Sequence, residues 1–312
     1  MLLDVITPPS LEPRLIRRRA VEARHQRGNV APRHTDIALW KDRLMAGVLG
    51  TTLRIGGLQQ RGLANALQLA VRHVPFEFAG LPPGLHGFRI LHITDVHIDG
   101  MDGLAETLAE KAAQLPVDLC VLTGDYRFHV YGPCDEIYPR MRRVLDAVQA
   151  RYGVIGILGN HDCADIALEL ENLGVRMLIN QGIEVGPPEG RLWVAGVDDP
   201  HYYRCDDLPA ALQNVPAGAF KLLLAHTPEL FQPAADCGID LYLTGHTHAG
   251  QIRLPAIGPL VLHAACPRAY TSGAWQHGSM QGYTSAGAGC SLLPMRYGCP
   301  PEIAVIELIR SA

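Results

Sequence analysis

Residues 88–97 read Phe-Arg-Ile-Leu-His-Ile-Thr-Asp-Val-His. The apolar run 88–94 is short enough for a buried strand, and it stops on Asp95-Val96-His97. The pattern repeats downstream. Run 118–123 ends in Gly124-Asp125, 153–158 in Gly159-Asn160-His161-Asp162, 220–225 in His226, and 241–244 in Gly245-His246-Thr247-His248. Helical patterns near 104–115 and 136–150 separate the first three, and further apolar runs lie at 192–197 and 303–309. That alternation predicts α/β layers with helices outside. Ligands of open α/β sheets bind beyond the carboxyl ends of the strands, so five strand ends deliver their Asp, Asn and His side chains to one rim.

Oxygen and imidazole donors without a thiolate suit Mn, Fe, Zn or Mg. Asp95 and His97 are two residues apart and are expected to turn toward one ion; the same expectation holds for His246 and His248, because such residues share a side of an extended chain. There are too many ligands for one tetrahedral site. Two ions are therefore expected, with the two oxygens of Asp125 as a bridge.

The five ordered blocks, Asp-x-His, Gly-Asp, Gly-Asn-His-Asp, a lone His and Gly-His-x-His, make residues 88–309 resemble the calcineurin-like metallophosphoesterase superfamily. The resemblance implies a four-layered α/β/β/α sandwich with two mixed β-sheets, a dinuclear metal site at strand ends and, on this chain, an added N-terminal helical arm. It implies one metal on Asp95, His97, Asp125 and His248, and a second on Asp125, Asn160, His226 and His246. The cofactors would be two divalent ions, Mn(II) first, with Fe, Zn or Mg as alternatives. The implied reaction is hydrolysis of a phosphodiester or pyrophosphate bond by metal-bound hydroxide, with His161 stabilising the phosphoryl group and protonating the leaving oxygen.

Many members extend the second block to Gly-Asp-x-x-Asp, whereas Phe128 stands at the second Asp position here. That disfavours a protein phosphatase and leaves the acidic partner of His161 open, Asp162 being adjacent in sequence. The segments around Gly287-Ala288-Gly289-Cys290 and Pro294-Met295-Arg296-Tyr297 resemble a bacterial branch of membrane-associated phosphoesterases. Some members of that branch cleave UDP-2,3-diacylglucosamine in lipid A biosynthesis, which makes such a nucleotide-sugar lipid a candidate substrate. The alternatives are a phosphomonoesterase, which differs only in pocket shape, and an inactive binding scaffold, against which the full set of ligands and His161 argues. Arg253, His201, Tyr202, Tyr203 and Arg204 are candidate substrate contacts, and Asp198 and Asp199 read as a turn after a strand.

The chain has 312 residues and a formal charge of -4, but the charge is uneven. Residues 1–80 carry 12 Arg/Lys against 6 Asp/Glu, or +6, which leaves -10 for residues 81–312. A body of that sign excludes bulk nucleic-acid binding. The eight Cys have no paired zinc spacing and read as reduced thiols of a cytoplasmic protein. Two domains are expected: a basic arm over 1–80 and a phosphoesterase domain over 81–312. The arm predicts a helix capped by Thr35 or Asp36, carrying Ile37, Trp40, Leu44 and Val48, and a second helix over 58–71. It packs on the body or leans on the anionic inner face of the cytoplasmic membrane, with Trp40 as anchor and Arg17, Arg18 and Arg19 as counter-charge. No export signal is legible, and the uncharged stretch 44–53 is too short to span a bilayer.

Overall fold

The structure, a computed structural model, describes residues 11–26, 44, 47–254, 256–259, 262 and 264–311. In chain order come α1 (Glu12–Gln26), α2 (47–55), α3 (Gln59–Ala66), β1 (Ala70–Phe78), β2 (Phe88–Ile93), α4 (Leu104–Ala112) and β3 (Leu119–Leu122). There follow α5 (Ile137–Ala147), β4 (Val154–Gly156), α6 (Ala164–Asn172), β5 (Val175–Met177), β6 (Gln181–Val185), β7 (Leu192–Gly196) and α7 (Leu208–Ala211). The last elements are β8 (Phe220–Leu224), α8 (Phe231–Asp236), β9 (Leu241–Thr244), the short pair β10 (Arg253–Leu254) and β11 (Gly258–Pro259), then β12 (Gly273–His277), β13 (Met280–Thr284) and β14 (Glu302–Arg310).

Two six-stranded mixed sheets result, ordered β1-β14-β2-β3-β4-β5 and β12-β13-β9-β8-β7-β6. Strand periodicity sorts their side chains into layers. Ile90, Leu119 and Val121 point between the sheets, where they meet Val194, Leu222 and Leu243. Their neighbours Leu91, Ile93, Cys120 and Leu122 point outward, against Leu108 of α4, Met141 of α5 and Leu170 of α6. On the other sheet Trp193, Ala195 and Leu223 pack with Ala211 and Ala234 of α7 and α8. The order is helix, sheet, sheet, helix, the four-layered sandwich expected.

The arm differs from expectation. The second helix ends at Ala66, and residues 70–78, on the arm's side of the boundary at 80, form β1 and pair in parallel with β14. Pro75 within this segment is tolerated because β1 is an edge strand. Ahead of the two helices expected of the arm, α1 packs Leu11 and Leu15 into the cluster shared with α6. Trp40, Thr35, Asp36 and Ile37 lie outside the described residues. The three arginines also part company. Arg18 is fully buried, Arg17 donates to the carbonyl of Arg204 at 2.6 Å, and Arg19 pairs with Asp165 at 2.8 Å. Arg18, buried in the body, does not face a lipid surface, whereas Arg17 stays exposed and Arg19 partly so. No helix among the described residues is long and apolar enough to cross a membrane.

Candidate metal centre

The carboxyl ends of β2, β3, β4, β8 and β9 meet at one rim. There the chain leaves regular structure through left-handed turns at residues other than glycine: Asp95 (φ 50°), His97 (φ 39°), Asp125 (φ 58°), His246 (φ 70°) and His248 (φ 48°). Each such turn costs about 1–3 kcal/mol, and strain of this kind gathers where side chains must be aimed. Two glycines make the approach possible. A Cβ on Gly159 would overlap Asp125 Oδ1, and one on Gly245 would overlap Asp95 Oδ2.

Three overlapping groups of potential ligand atoms converge: Asp95, His97 and His248; His97, Asp125 and His161; and Asp125, His226 and His246, each within 4.8 Å. Asp125 Oδ2 stands 3.2 Å from His226 Nε2 and 3.7 Å from His97 Nε2, between the outer groups. Asn160 Oδ1 lies 3.0 Å from His226 Nε2. Main-chain carbonyls fix three of the rings. Nδ1 of His97 donates to Arg127 O, that of His161 to Phe128 O and that of His226 to Thr123 O, each at 2.7 Å. In a neutral ring so held, Nε2 is the lone-pair nitrogen and points to the rim.

Electrostatics set the charges. Burial, with the neighbouring His161, pushes His97 down to about 3. Burial, His97 and Arg296 likewise hold His248 well below its ordinary range. Burial raises Asp95 to about 6. For Asp125 burial is outweighed by His226, His161 and His97, which hold the carboxyl well below the usual range. Against the lowering effect of burial, Asp125 and Asp95 raise His226 to about 10. The neutral Nε2 atoms of His97 and His248 stand 3.1 Å apart, with Asp95 Oδ1 3.4 Å from the second. Imidazole and carboxylate donors aimed at one point are the donor set of a divalent cation, so the residues fit the metals that the motif implies.

Residues 88–250 match the family model of the calcineurin-like phosphoesterases. The chain belongs to that family. It is similar to the uncharacterized metallophosphoesterase YkuE of Bacillus subtilis strain 168, 29% identical over 238 residues, 73% of this chain and 81% of that protein. It is also similar to the phosphodiesterase YaeI of Escherichia coli strain K12, 30% identical over 232 residues, 71% of this chain and 82% of that one. The protein is thus a metal-dependent hydrolase of phosphoesters.

In this calcineurin-like phosphoesterase Asp95 and His97 join one group, as expected, but the extended-chain argument fails for Gly-His-x-His, because the aiming is done by left-handed turns. His246 and His248 consequently join different groups, not one. Asp162 is no partner of the His161 ring. Its buried carboxylate accepts from the main-chain N–H of Asp125, Tyr126 and Gly159 and ties two strand-end loops together. The Phe128 carbonyl takes the place of the acidic partner.

Of the candidate substrate contacts, the His201 ring lies 4.5 Å from that of His246 and donates from Nδ1 to Glu229. Tyr202 meets Tyr131, and Arg204 is exposed. Tyr203 is buried beneath Arg18, and Arg253 bonds the Ala249 carbonyl. Asp199 caps the turn by accepting from His201, Tyr202 and Tyr203 N–H.

Sequence reasoning missed the parts played by three buried arginines, Arg296, Arg18 and Arg127, the last of which donates from Nε to the His161 carbonyl at 2.9 Å. Arg296, in the tail, bonds the carbonyls of Ala286 and Gly289 and lies 3.2 Å from His248 Nδ1. Arg18 bonds the loop that carries Asn160 and His161. The second left a signal, since Leu11, Leu15, Arg18 and Glu22 share one face of α1, on which an apolar stripe turns charged.

Proposed function

We propose that Asp95, His97, Asp125 and His248 hold one divalent cation, that Asp125, Asn160, His226 and His246 hold a second, and that the protein hydrolyses a phosphodiester or pyrophosphate. The observation that carries this reading is the convergence of imidazole Nε2 atoms on the buried carboxylates of Asp95 and Asp125, with three rings locked from behind. When bound, the cations, for which the donor set suits Mn(II), Fe, Zn or Mg, would polarise phosphoryl oxygens and supply a water of lowered pKa. The protein's own part is positional. His161, held at Nδ1 by Phe128 O and with a partly exposed ring, has its Nε2 3.9 Å from Asp125 Oδ2; in the imidazolium form both ring nitrogens carry protons, and the one on Nε2 would pass to the leaving oxygen. The name of the YaeI relative, a phosphodiesterase, favours the diester over the monoester.

An observation outside the centre favours a lipid-linked substrate at a membrane surface. Leu44, Val48, Ile55 and Leu58 of the arm are exposed, as are Leu254, Ile257 and Leu292. Contacts draw these segments together, with Gly50 against Leu293 and Tyr297 bonded both to the Leu58 carbonyl and to Arg253 N–H. Arg253 follows closely on His248, so the apolar rim adjoins the centre. The discriminating experiment is an assay of Mn(II)-loaded protein on an aryl phosphodiester, an aryl monoester and UDP-2,3-diacylglucosamine. Diester turnover and UMP release are expected. Turnover of the monoester alone rejects the diester reading, and no UMP release by an otherwise active enzyme rejects the lipid.

A further inference from the structure

Asn160 and His161 lie on an irregular loop between β4 and α6, and short loops drift unless they are held. Asp162 ties the loop from within, and the main chain of His161 is held at its carbonyl by Arg127 Nε at 2.9 Å and at its N–H by Asp125 Oδ1 at 2.8 Å. A further hold, on the residues either side, comes from α1, 141 residues away in the chain. The buried guanidinium of Arg18 donates from Nη2 to the carbonyls of Gly159 at 2.7 Å and Asp162 at 2.6 Å. One turn later on the same face, Glu22 accepts from Ala164 N–H at 2.8 Å. The helix therefore grips residues 159, 162 and 164 and leaves 160 and 161 to project at the rim. Nη1 of the same guanidinium pairs with buried Asp198, and its face lies over Tyr203 at 3.9 Å. Asp198 opens the turn that carries His201, beside His246. One side chain thus fastens both loops that flank the second proposed cation.

We infer that Arg18 is a positioning residue of the hydrolytic site. Arg suits the task better than Lys, because a planar fork spans a carboxylate and two carbonyls at once, which a single ammonium does not. Outer-shell partners of metal sites move affinity or activity by about 10- to 100-fold when removed, and that is the range expected of Arg18. The inference rests on the reading of Asn160 and His161 given above.

The test uses the full chain with Arg18→Ala, Arg18→Lys and, as comparator, Leu15→Ala, which weakens the docking of the same helix without touching the loop. Three quantities are measured: Tm, Mn²⁺ affinity of the metal-free protein by calorimetry, and kcat and KM on an aryl phosphodiester. Arg18→Ala is expected to lose about 10- to 100-fold in kcat and in affinity for one of two Mn²⁺ ions. Arg18→Lys should recover part of both, and Leu15→Ala should lower Tm comparably with kcat and Mn²⁺ affinity near wild type. Wild-type kcat and Mn²⁺ affinity in Arg18→Lys overturn the inference, as does a Leu15→Ala variant that matches the losses of Arg18→Ala; the Lys variant keeps the test open if the Ala variant does not fold. An inactive wild-type protein sinks the hydrolytic reading instead, and Mn²⁺ affinity then still judges Arg18.

Discussion

The strand-end rim and the α1 contact both bury charge, but they do so to opposite ends. At the rim, Asp95, Asp125 and the rings of His97, His226 and His248 turn their donor atoms toward one another across 3–4 Å, which leaves their valences directed at common points. At α1 the guanidinium of Arg18 is turned onto the protein: a carboxylate and two carbonyls receive its Nη groups and an aromatic ring its face, while Nε, 3.4 Å from Glu22, makes no hydrogen bond. A cluster with converging acceptors is built to bind a cation, and a cation whose Nη donors all end on one protein frame is built to hold backbone still. The difference teaches that burial of charge alone does not mark a ligand site; the direction of the unshared electron pairs does.

The comparison breaks most sharply at the rim. Chelation of the metal, or Asp125→Ala, is expected to abolish hydrolysis with the fold intact by circular dichroism, and His161→Ala to lower kcat by about 10²- to 10⁴-fold. Activity that survives complete metal removal would contradict the two-cation reading. Next in size is the cluster at α1. Arg18→Met leaves Asp198 buried without its partner and should cost about 3–5 kcal/mol in denaturant unfolding. A loss below 1 kcal/mol there, in the absence of structural rearrangement, means the pair is not made as described.

A smaller effect is expected where rim and loop meet. Glu229 raises the His201 pKa against the lowering effect of burial, and His201 in turn depresses Glu229. A raised His pKa gives stability that is present below about 6.5, the unfolded value, and lost as pH rises through the raised value in the fold. Glu229→Gln should therefore cost on the order of 1 kcal/mol near pH 6 and less at pH 9. A cost that grows with pH contradicts the pairing. Smallest for stability is Val48→Asp with Ile55→Asp, within about 0.5 kcal/mol because both are exposed. The same variant should lose sedimentation with anionic vesicles, and retained sedimentation would reject the apolar rim as the contact.

Much of the rim was legible because motif and strand end coincide. The apolar runs before Asp95, Asp125, Asn160, His226 and His246 each stop where the ligand type begins, and strand burial demands that order. What failed was local geometry. Residues two apart were expected to share a side, yet positive φ at His246 and His248 sends them to different groups, and no alternation pattern encodes that. β1 escaped notice because an edge strand needs neither a continuous apolar run nor freedom from proline. The hairpin of β12 and β13 was missed as well, its strands being rich in Gly and polar residues.

By itself, then, the sequence determined α/β layers with helices outside and the identity of the side chains at the rim, because hydrophobic periodicity and the chemistry of Asp, Asn and His are local properties; the four-layered sandwich followed from the resemblance that the ordered blocks carry. Which carbonyl orients His161, what Asp162 ties, and that the middle one of three arginines reaches Asp198 were decided only by tertiary structure. Those contacts join residues 33 to 180 positions apart, and nothing within a short window of sequence specifies such a pairing.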